Sequence, residues 1–240
     1  MKNQYFGDVD DYLKYGILRC LAGAGWRPGV CWMLTPDDTR TDGRRTAYLA
    51  DPRRWRAHDP ALFDALAAAL GRPDGRDVRR MEEAGLLPGA RFFRDPVPEA
   101  TGPRHGWLAA AHAALHGADL IFFDPDNGLE VRSVSPGRRG SSRYLYWHEV
   151  EATWRAGASL LLFQHFPREP RGRVIPRLTG ALAARTPGAT VTALVTPSVL
   201  FLLASRAAHR SRLERARSAM GERWAGRVSI AEERGTHVHA

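Results

Sequence analysis

Four bulky apolar residues in a row, Leu120-Ile121-Phe122-Phe123, run straight into Asp124-Pro125-Asp126-Asn127-Gly128. A segment apolar on both sides has no face to offer to water, so it reads as a strand covered above and below. Strands of that kind belong to parallel sheets with helices on either side, and the chain repeats the pattern. Val30-Cys31-Trp32-Met33-Leu34 and Ser159-Leu160-Leu161-Leu162-Phe163 are two more such runs. Between them lie segments with apolar residues at helical spacing. Asp8 to Ala22 puts Tyr12, Ile17, Leu18 and Leu21 on one stripe behind a capping Asp8 or Asp10. Asp59-Pro60 opens another helix through Leu70. Helices are also predicted over 81–87, 107–115, 144–154, 175–185 and 206–224, with strands at 91–94, 189–195, 199–204 and 228–230. Residues 39–56 read as a long loop. Strands separated by helices predict an α/β fold, a Rossmann-like, mostly parallel sheet with helices on both faces. The strand pair 189–195 and 199–204 adds an antiparallel element at one edge. No repeat or linker divides residues 1–240, so a single α/β domain is expected, with an N-terminal helical segment at 1–24 and a frayed tail at 232–240.

A hydrophobic fraction of 44% rules out disorder as the default state. No apolar run approaches the eighteen or so residues that cross a bilayer. Met1 to Tyr5 lacks the basic-then-apolar pattern of a signal peptide, so a cytoplasmic location without membrane association is expected. Cys20 and Cys31 each sit inside an apolar segment and read as buried thiols. The net charge of +9 favours a polyanionic partner such as nucleic acid. Only Lys2 and Lys14 are lysines, however. A positive charge carried almost wholly by arginine, beside abundant alanine, also follows from a GC-rich codon bias, so charge alone leaves that partner open.

In open parallel sheets, ligands bind outside the carboxyl ends of the strands, where strand order reverses. Three strand ends carry polar groups immediately after an apolar run: Thr35, Asp37 and Asp38; Asp124, Asp126 and Asn127; Gln164 and His165. If those strands are neighbours, their tips converge on one cleft. Pro125 stiffens the exit of its strand and Gly128 permits a tight turn. The carboxylates of Asp124 and Asp126 can share a hard cation such as Mg²⁺ or orient an exocyclic amine. Both side chains are expected in a solvated cleft, where replacing them leaves the fold intact. His165 titrates near neutrality and suits proton transfer. Asp8, Asp10, Asp11 and Lys14 open the first helix, either as caps or facing the cleft. Arg138, Arg139 and Arg143 mark a glycine-rich basic loop able to meet phosphates, and Tyr144, Tyr146 and Trp147 behind it are either a base-stacking lid or core. The helix-borne histidines read as surface residues. His237 and His239 form at most a weak metal-binding tail.

The opening Gly7-Asp8-Val9-Asp10-Asp11-Tyr12-Leu13-Lys14-Tyr15, Asp124-Pro125 after an apolar strand, and the late strand pair followed by a long helix resemble the ribosomal RNA adenine-N6 methyltransferase family and the related three-Cys-motif partner proteins. Lys2 to Leu18 and Leu120 to Val131 are also similar to segments of an uncharacterised bacterial family. The resemblance implies a methyltransferase-like sheet, S-adenosylmethionine as cofactor and an adenine amino group as acceptor. Taken together with the strand tips and the basic loop, it puts Asp8, Lys14, Thr35, Asp37 and Asp38 toward the cofactor, and Arg138, Arg139, Arg143, Tyr144 and Gln164 toward the nucleic acid. Asp124, Pro125, Asp126, Asn127 and His165 stand at the reacting atoms. In that family an Asp-Pro-Pro-aromatic motif holds the amine through the Asp side chain and a Pro carbonyl, while the ring stacks on the base. Here Asp126 stands at the second proline and Asn127 at the aromatic, and Thr35-Pro36-Asp37-Asp38 stands where a glycine-rich cofactor loop is expected. Two other readings use the same residues. One is a Mg²⁺-dependent nuclease or phosphoesterase in which Asp37, Asp38, Asp124 and Asp126 hold the metal and His165 handles protons. The other is a non-catalytic nucleic-acid-binding module.

Overall fold

The computed structural model describes residues 1–232. The expected frayed tail, from 233 on, and with it His237 and His239, lies outside the described residues. In chain order the elements are α1 (Val9–Gly23), β1 (Pro28–Cys31), α2 (Pro52–Trp55), α3 (Pro60–Leu70), α4 (Arg79–Glu83), β2 (Arg91–Phe93), α5 (Thr101–Ala114), β3 (Leu120–Phe123), β4 (Gly128–Leu129), β5 (Tyr144–Leu145), α6 (Trp147–Arg155), β6 (Ser159–His165), α7 (Arg171–Ala183), β7 (Thr190–Val195), β8 (Val199–Ser205), α8 (Arg210–Arg223) and β9 (Ser229–Glu232). The main sheet has seven strands in the order β2-β1-β3-β6-β8-β7-β9. β2, β1, β3 and β6 run parallel; β8 is antiparallel to β6 and β7, and β9 to β7.

Strand alternation divides the interior into two cores. Val30, Leu120, Phe122, Leu161, Phe163, Phe201 and Leu203 point toward α1, α3 and α8. Cys31, Ile121, Phe123, Leu160, Leu162 and Leu202 point toward α5, α6 and α7. Helices therefore cover both faces, and the fold is α/β with a mostly parallel sheet. No helix of the described residues is long and apolar enough to cross a membrane.

Three sequence expectations shift. The antiparallel element lies at one end of the sheet, as expected, but the pair itself is not outermost: β8 lies beside β6 and β9 takes the edge. β8 is buried along its whole length while β7 is half-exposed at both ends, so β8 takes the place beside β6. The first strand ends at Cys31, not Leu34. Trp32 still donates to the Phe93 carbonyl, but Met33 turns into the left-handed region at φ 46° and the ladder stops. Residues 144–154 are not one helix. Tyr144-Leu145 pairs in parallel with Gly128-Leu129, and α6 starts only after Glu149 has accepted the Tyr146 N–H at 2.9 Å.

The chain runs from β1 outward to β2, then crosses to β3 on the other side of β1. Strand order reverses there, which makes the carboxyl ends of β1 and β3 the crevice of the sheet. The α1–α8 contact that closes one face rests on Gly16, whose missing Cβ would fall 2.1 Å from the Trp224 ring. Gly16→Ala is expected to lower stability by about 1–3 kcal/mol through overpacking, as read from the urea midpoint. A midpoint unchanged from wild type would show that this helix pair has room to spare.

Candidate functional site

The crevice opens into a cavity of about 600 Å³. Its walls are the start of α1, the 40–45 loop, the turn after β3 and the end of β6. Period-two alternation puts Phe163 and His165 on the α1 side of β6, so both reach the cavity while Gln164 between them does not.

At its base is a buried charge cluster. Lys14 lies one turn into α1 with its ammonium 2.6 Å from Asp11 Oδ1 and 2.7 Å from Asp124 Oδ2. All three side chains are almost sealed from solvent, at 2%, 6% and 2% exposure. Asp11 Oδ2 also accepts the Gly7 N–H and the Tyr15 hydroxyl. Burial works against the Lys14 charge, but the two carboxylates outweigh it and hold its pKa above the ordinary value. For Asp11 the balance goes the other way, and burial raises its carboxyl to about 6 despite Lys14. Lys2, equally buried, lies 2.7 Å from Asp38 and 3.5 Å from Asp126. Its ammonium pulls Asp38 down to about 2. The Met1 amino group donates to the carbonyls of Met33 and Asp124, so the N-terminal segment lies across the ends of β1 and β3.

Asp8 caps α1 by accepting the Asp10 N–H, as expected, and also takes the backbone N–H and guanidinium of Arg45. Arg45 reaches Asp10 as well, and the Ser198 hydroxyl donates to Asp10. These contacts fix the 40–45 loop as a wall. Three groups at the cavity have no protein hydrogen-bond partner among the described residues: Asp124 Oδ1, the Asn127 amide and the His165 ring. The His165 side chain lines the cavity and is exposed to solvent, but the surrounding protein partly desolvates its ring. That burial lowers its pKa below 6.5, against the pull of Asp10, Asp126 and Asp124.

The structure brings together Asp8, Asp10, Asp11, Lys14, Asp124, Pro125, Asp126, Asn127, Arg143 and His165. It redirects several other expected site residues. Thr35 bonds the Met1 carbonyl and Asp126, Asp37 accepts the Gln4 N–H, and Asp38 exchanges hydrogen bonds with Gln4. These three hold the N-terminal segment down instead of lining the cavity, because the chain after Met33 turns toward residues 1–4. Gln164 is buried, accepts the Leu129 N–H at 2.8 Å and packs against Gly128. It braces the turn after β3 and faces no ligand. Tyr144 belongs to β5. Tyr146 is buried with its hydroxyl on the Val134 carbonyl, and Trp147 carries the Arg185 guanidinium 4.4 Å from its ring, so none of the three forms a lid. Arg138 and Arg139 are exposed on the loop leading to Arg143 but do not line the cavity.

Asp124 and Asp126 are not solvated side chains, contrary to expectation; they are 2% and 6% exposed and matched by fixed cations. Replacing either therefore carries a cost in stability. The four-aspartate metal set does not assemble either. Asp124 is held by Lys14, and Asp38 and Asp126 share Lys2. Among the described residues no group of three or more His, Cys, Asp or Glu is placed to hold a metal ion. Sequence reasoning missed Lys2, Tyr5, Phe163 and the arginines of the 40–45 loop, all of which line the cavity. A signal for the first was present: the chain's only two lysines both lie in this cluster. No protein-family model, no curated protein and no solved structure matches this chain.

Lys14→Met leaves two buried carboxylates with no cation between them and is expected to cost about 3–5 kcal/mol, measured by urea unfolding. A loss below about 1 kcal/mol, the range of an exposed pair, would mean that water enters the cluster. The pH response carries a second test. Asp11 has a folded pKa of about 6 against 3.8 for the free side chain, so the folded state binds its proton more tightly. Its ionised form is a liability above about pH 6, and the liability shrinks as pH falls toward 4. Relative to Asp11→Asn, the wild-type protein should therefore gain stability between pH 7.5 and 5.5. Parallel curves for the two proteins would remove Asp11 from the titration.

Proposed function

We propose that the cavity is the catalytic cleft of a methyltransferase-like enzyme that uses S-adenosylmethionine to modify a nucleobase amine in nucleic acid. The observation that carries this reading is the position of Asp124-Pro125. The pair leaves the carboxyl end of β3, beside the point where strand order reverses, and lines the cavity, with Asp124 Oδ1 making no protein hydrogen bond. The other oxygen of that carboxylate is fixed by Lys14, so the free one has a defined direction. An amine entering the cavity would donate one hydrogen to it and another to the Pro125 carbonyl. Tyr5 and Phe163, which line the cavity, offer the aromatic surface that Asn127 lacks. The order of the late strands also supports the reading, since β8 provides the antiparallel element such a sheet is expected to have.

The cavity fits the cofactor in volume and charge. About 600 Å³ falls within the range of sites for molecules of this size. S-adenosylmethionine has an ammonium and a carboxylate at its amino-acid end, and Asp8, Asp10, Arg40 and Arg44 all line the cavity. Those residues would hold that end, and the bound cofactor would supply an electrophilic methyl group. The basic rim suits the polymer. The side chains of Arg40 and Arg143 are 65% and 37% exposed, and each guanidinium lies at the far limit of an ion pair, 4.0 Å from Asp38 and 3.8 Å from Asp126. They remain available to phosphates, and Arg138 and Arg139 continue the positive surface along the adjoining loop. The metal-dependent reading lacks comparable support, because its carboxylates already face lysines.

Calorimetry with S-adenosylmethionine and, separately, Mg²⁺ tests the assignment. The expected result is saturable binding of the cofactor and none of the metal. Asp124→Asn should keep cofactor binding and lose roughly 10²-fold in methyl transfer per folded molecule, with Asp126→Asn affected less. Binding of Mg²⁺ alone would return the site to the hydrolase reading; nucleic-acid binding without either ligand would leave a binding module. Affinity for a single-stranded oligonucleotide should fall with salt, and Arg143→Ala should flatten the log–log slope by about 0.7, the value for one phosphate contact. A salt-independent affinity would make the charge compositional.

A further inference from the structure

We propose that His165 is the catalytic proton acceptor of this cavity, its imidazole held at the end of β6 against Phe163 and facing the carboxylates of Asp10, Asp124 and Asp126. The inference rests on the methyl-transfer reading and adds a step to it. An amine that gains a methyl group must lose a proton. The nitrogen lone pair forms the new bond to the methyl carbon, and the carbon–sulfur bond breaks with its electrons moving to sulfur, which loses its positive charge. One N–H proton then leaves the nitrogen, and the imidazole takes it and becomes the new cation. Charge is conserved, and the positive charge moves from the donor to His165.

Geometry singles out this histidine. His165 is the only histidine that lines the cavity among the described residues. Its ring meets the Phe163 ring edge-on, with centroids 4.8 Å apart and planes at 88°, which limits its rotation. No protein donor or acceptor occupies either ring nitrogen, whereas His209 bonds Ser159 and Trp26, His112 bonds Thr153 and His58 bonds the Arg223 carbonyl. An imidazole held in place, with both nitrogens free, can receive a proton without breaking a bond. Each element packed around it presents charge: Asp10 from α1, Asp124 and Asp126 from the turn after β3, and the Met1 amino group from the N-terminal segment. The three carboxylates favour the protonated ring and the amino group opposes it. Partial burial opposes it more, and keeps the resting ring neutral at pH 7. A base that is empty at rest and stabilised once charged is suited to this step. Asp124 fits the role less well, because one of its oxygens is already held by the Lys14 ammonium.

Two measurements test this together. The first needs no activity: NMR titration of the His165 ring in the intact protein. A pKa below 6.5 is expected, moving lower still in Asp10→Asn, which removes one of the charges favouring protonation. The second is the pH profile of methyl transfer. The wild-type rate should fall as pH drops through the value found by NMR. His165→Gln, whose exposed side chain makes no protein hydrogen bond to lose, should fold normally. It should be about 10²-fold slower and should lack that acid limb. Wild-type transfer with His165→Gln at full rate and an unchanged profile overturns the role of His165 and leaves the methyltransferase assignment standing. So does an NMR titration above 7 that is indifferent to Asp10. If the wild-type protein binds no S-adenosylmethionine and transfers no methyl group, the assignment itself fails, and calorimetry identifies that outcome before any variant is made.

Discussion

One ammonium, that of Lys14, sits between Asp11 from its own helix and Asp124 from the turn after β3, with all three groups removed from water. Charges in that position are costly to bury and are tolerated only when geometry is close and the remaining lone pairs are satisfied. Both contacts are under 3 Å, and Asp11's second oxygen takes a backbone N–H and a hydroxyl, so Asp124 Oδ1 alone in the cluster is left without a protein partner. Much follows from this. α1 cannot slide or rotate on the sheet without separating Lys14 from Asp124. Asp8 and Asp10, one turn earlier on α1, are thereby fixed at the cavity wall. Asp124 has one oxygen committed and one free, and a carboxylate able to rotate would give a ligand no such direction.

The fold was legible because its signals are local. Three apolar runs with a period-two division between two cores, and caps such as Asp8 and Asp59, are properties of short windows, and the structure places β1, β3 and β6 side by side as those windows predict. The turn at Asp124 and the end at His165 were legible for the same reason. The rest was set by contacts distant in sequence. Thr35, Asp37 and Asp38 follow an apolar run as faithfully as Asp124 does, but Met1–Gln4 folds over them and takes their hydrogen bonds. Gln164 precedes His165 by one residue, and period two sends it to the opposite face to hold Leu129. The exposure of Asp124 and Asp126 could not be read at all, since it depends on two lysines more than a hundred residues away.

Met33 shows what the closed exit of β1 demands. It is the one non-glycine residue with a positive φ among those described, and its side chain is fully buried. A bulky residue in the left-handed region costs of order 1–3 kcal/mol and persists only where its surroundings determine it. Here the Met1 amino group binds its carbonyl, the Thr35 N–H returns to the Met1 carbonyl, and the side chain fills the α5–α6 core. After the bend, residues 33–38 meet the N-terminal segment and do not line the cavity.

The division of labour between lysine and arginine explains how a chain so rich in arginine still builds an acidic cavity floor. A guanidinium is a planar fork that can serve several acceptors at once. Arg76 uses one terminal nitrogen to meet the carbonyls of Gln4, Phe6 and Gly43, tying the N-terminal segment to the 40–45 wall. Arg104 spans Glu149 and the carbonyls of Ser141 and Tyr144, which closes the basic loop onto α6. Arginine braces of this kind are structural, and the charge of these two residues is no argument for a polyanionic partner. Between Asp11 and Asp124 the requirement is different. The space admits a compact ammonium 2.6 and 2.7 Å from two carboxylates approaching from separate elements, and a broad planar group cannot take that position. Lys14 delivers its charge there in a small volume, and Asp11 and Asp124 so neutralised can be packed close together to form the floor of the site.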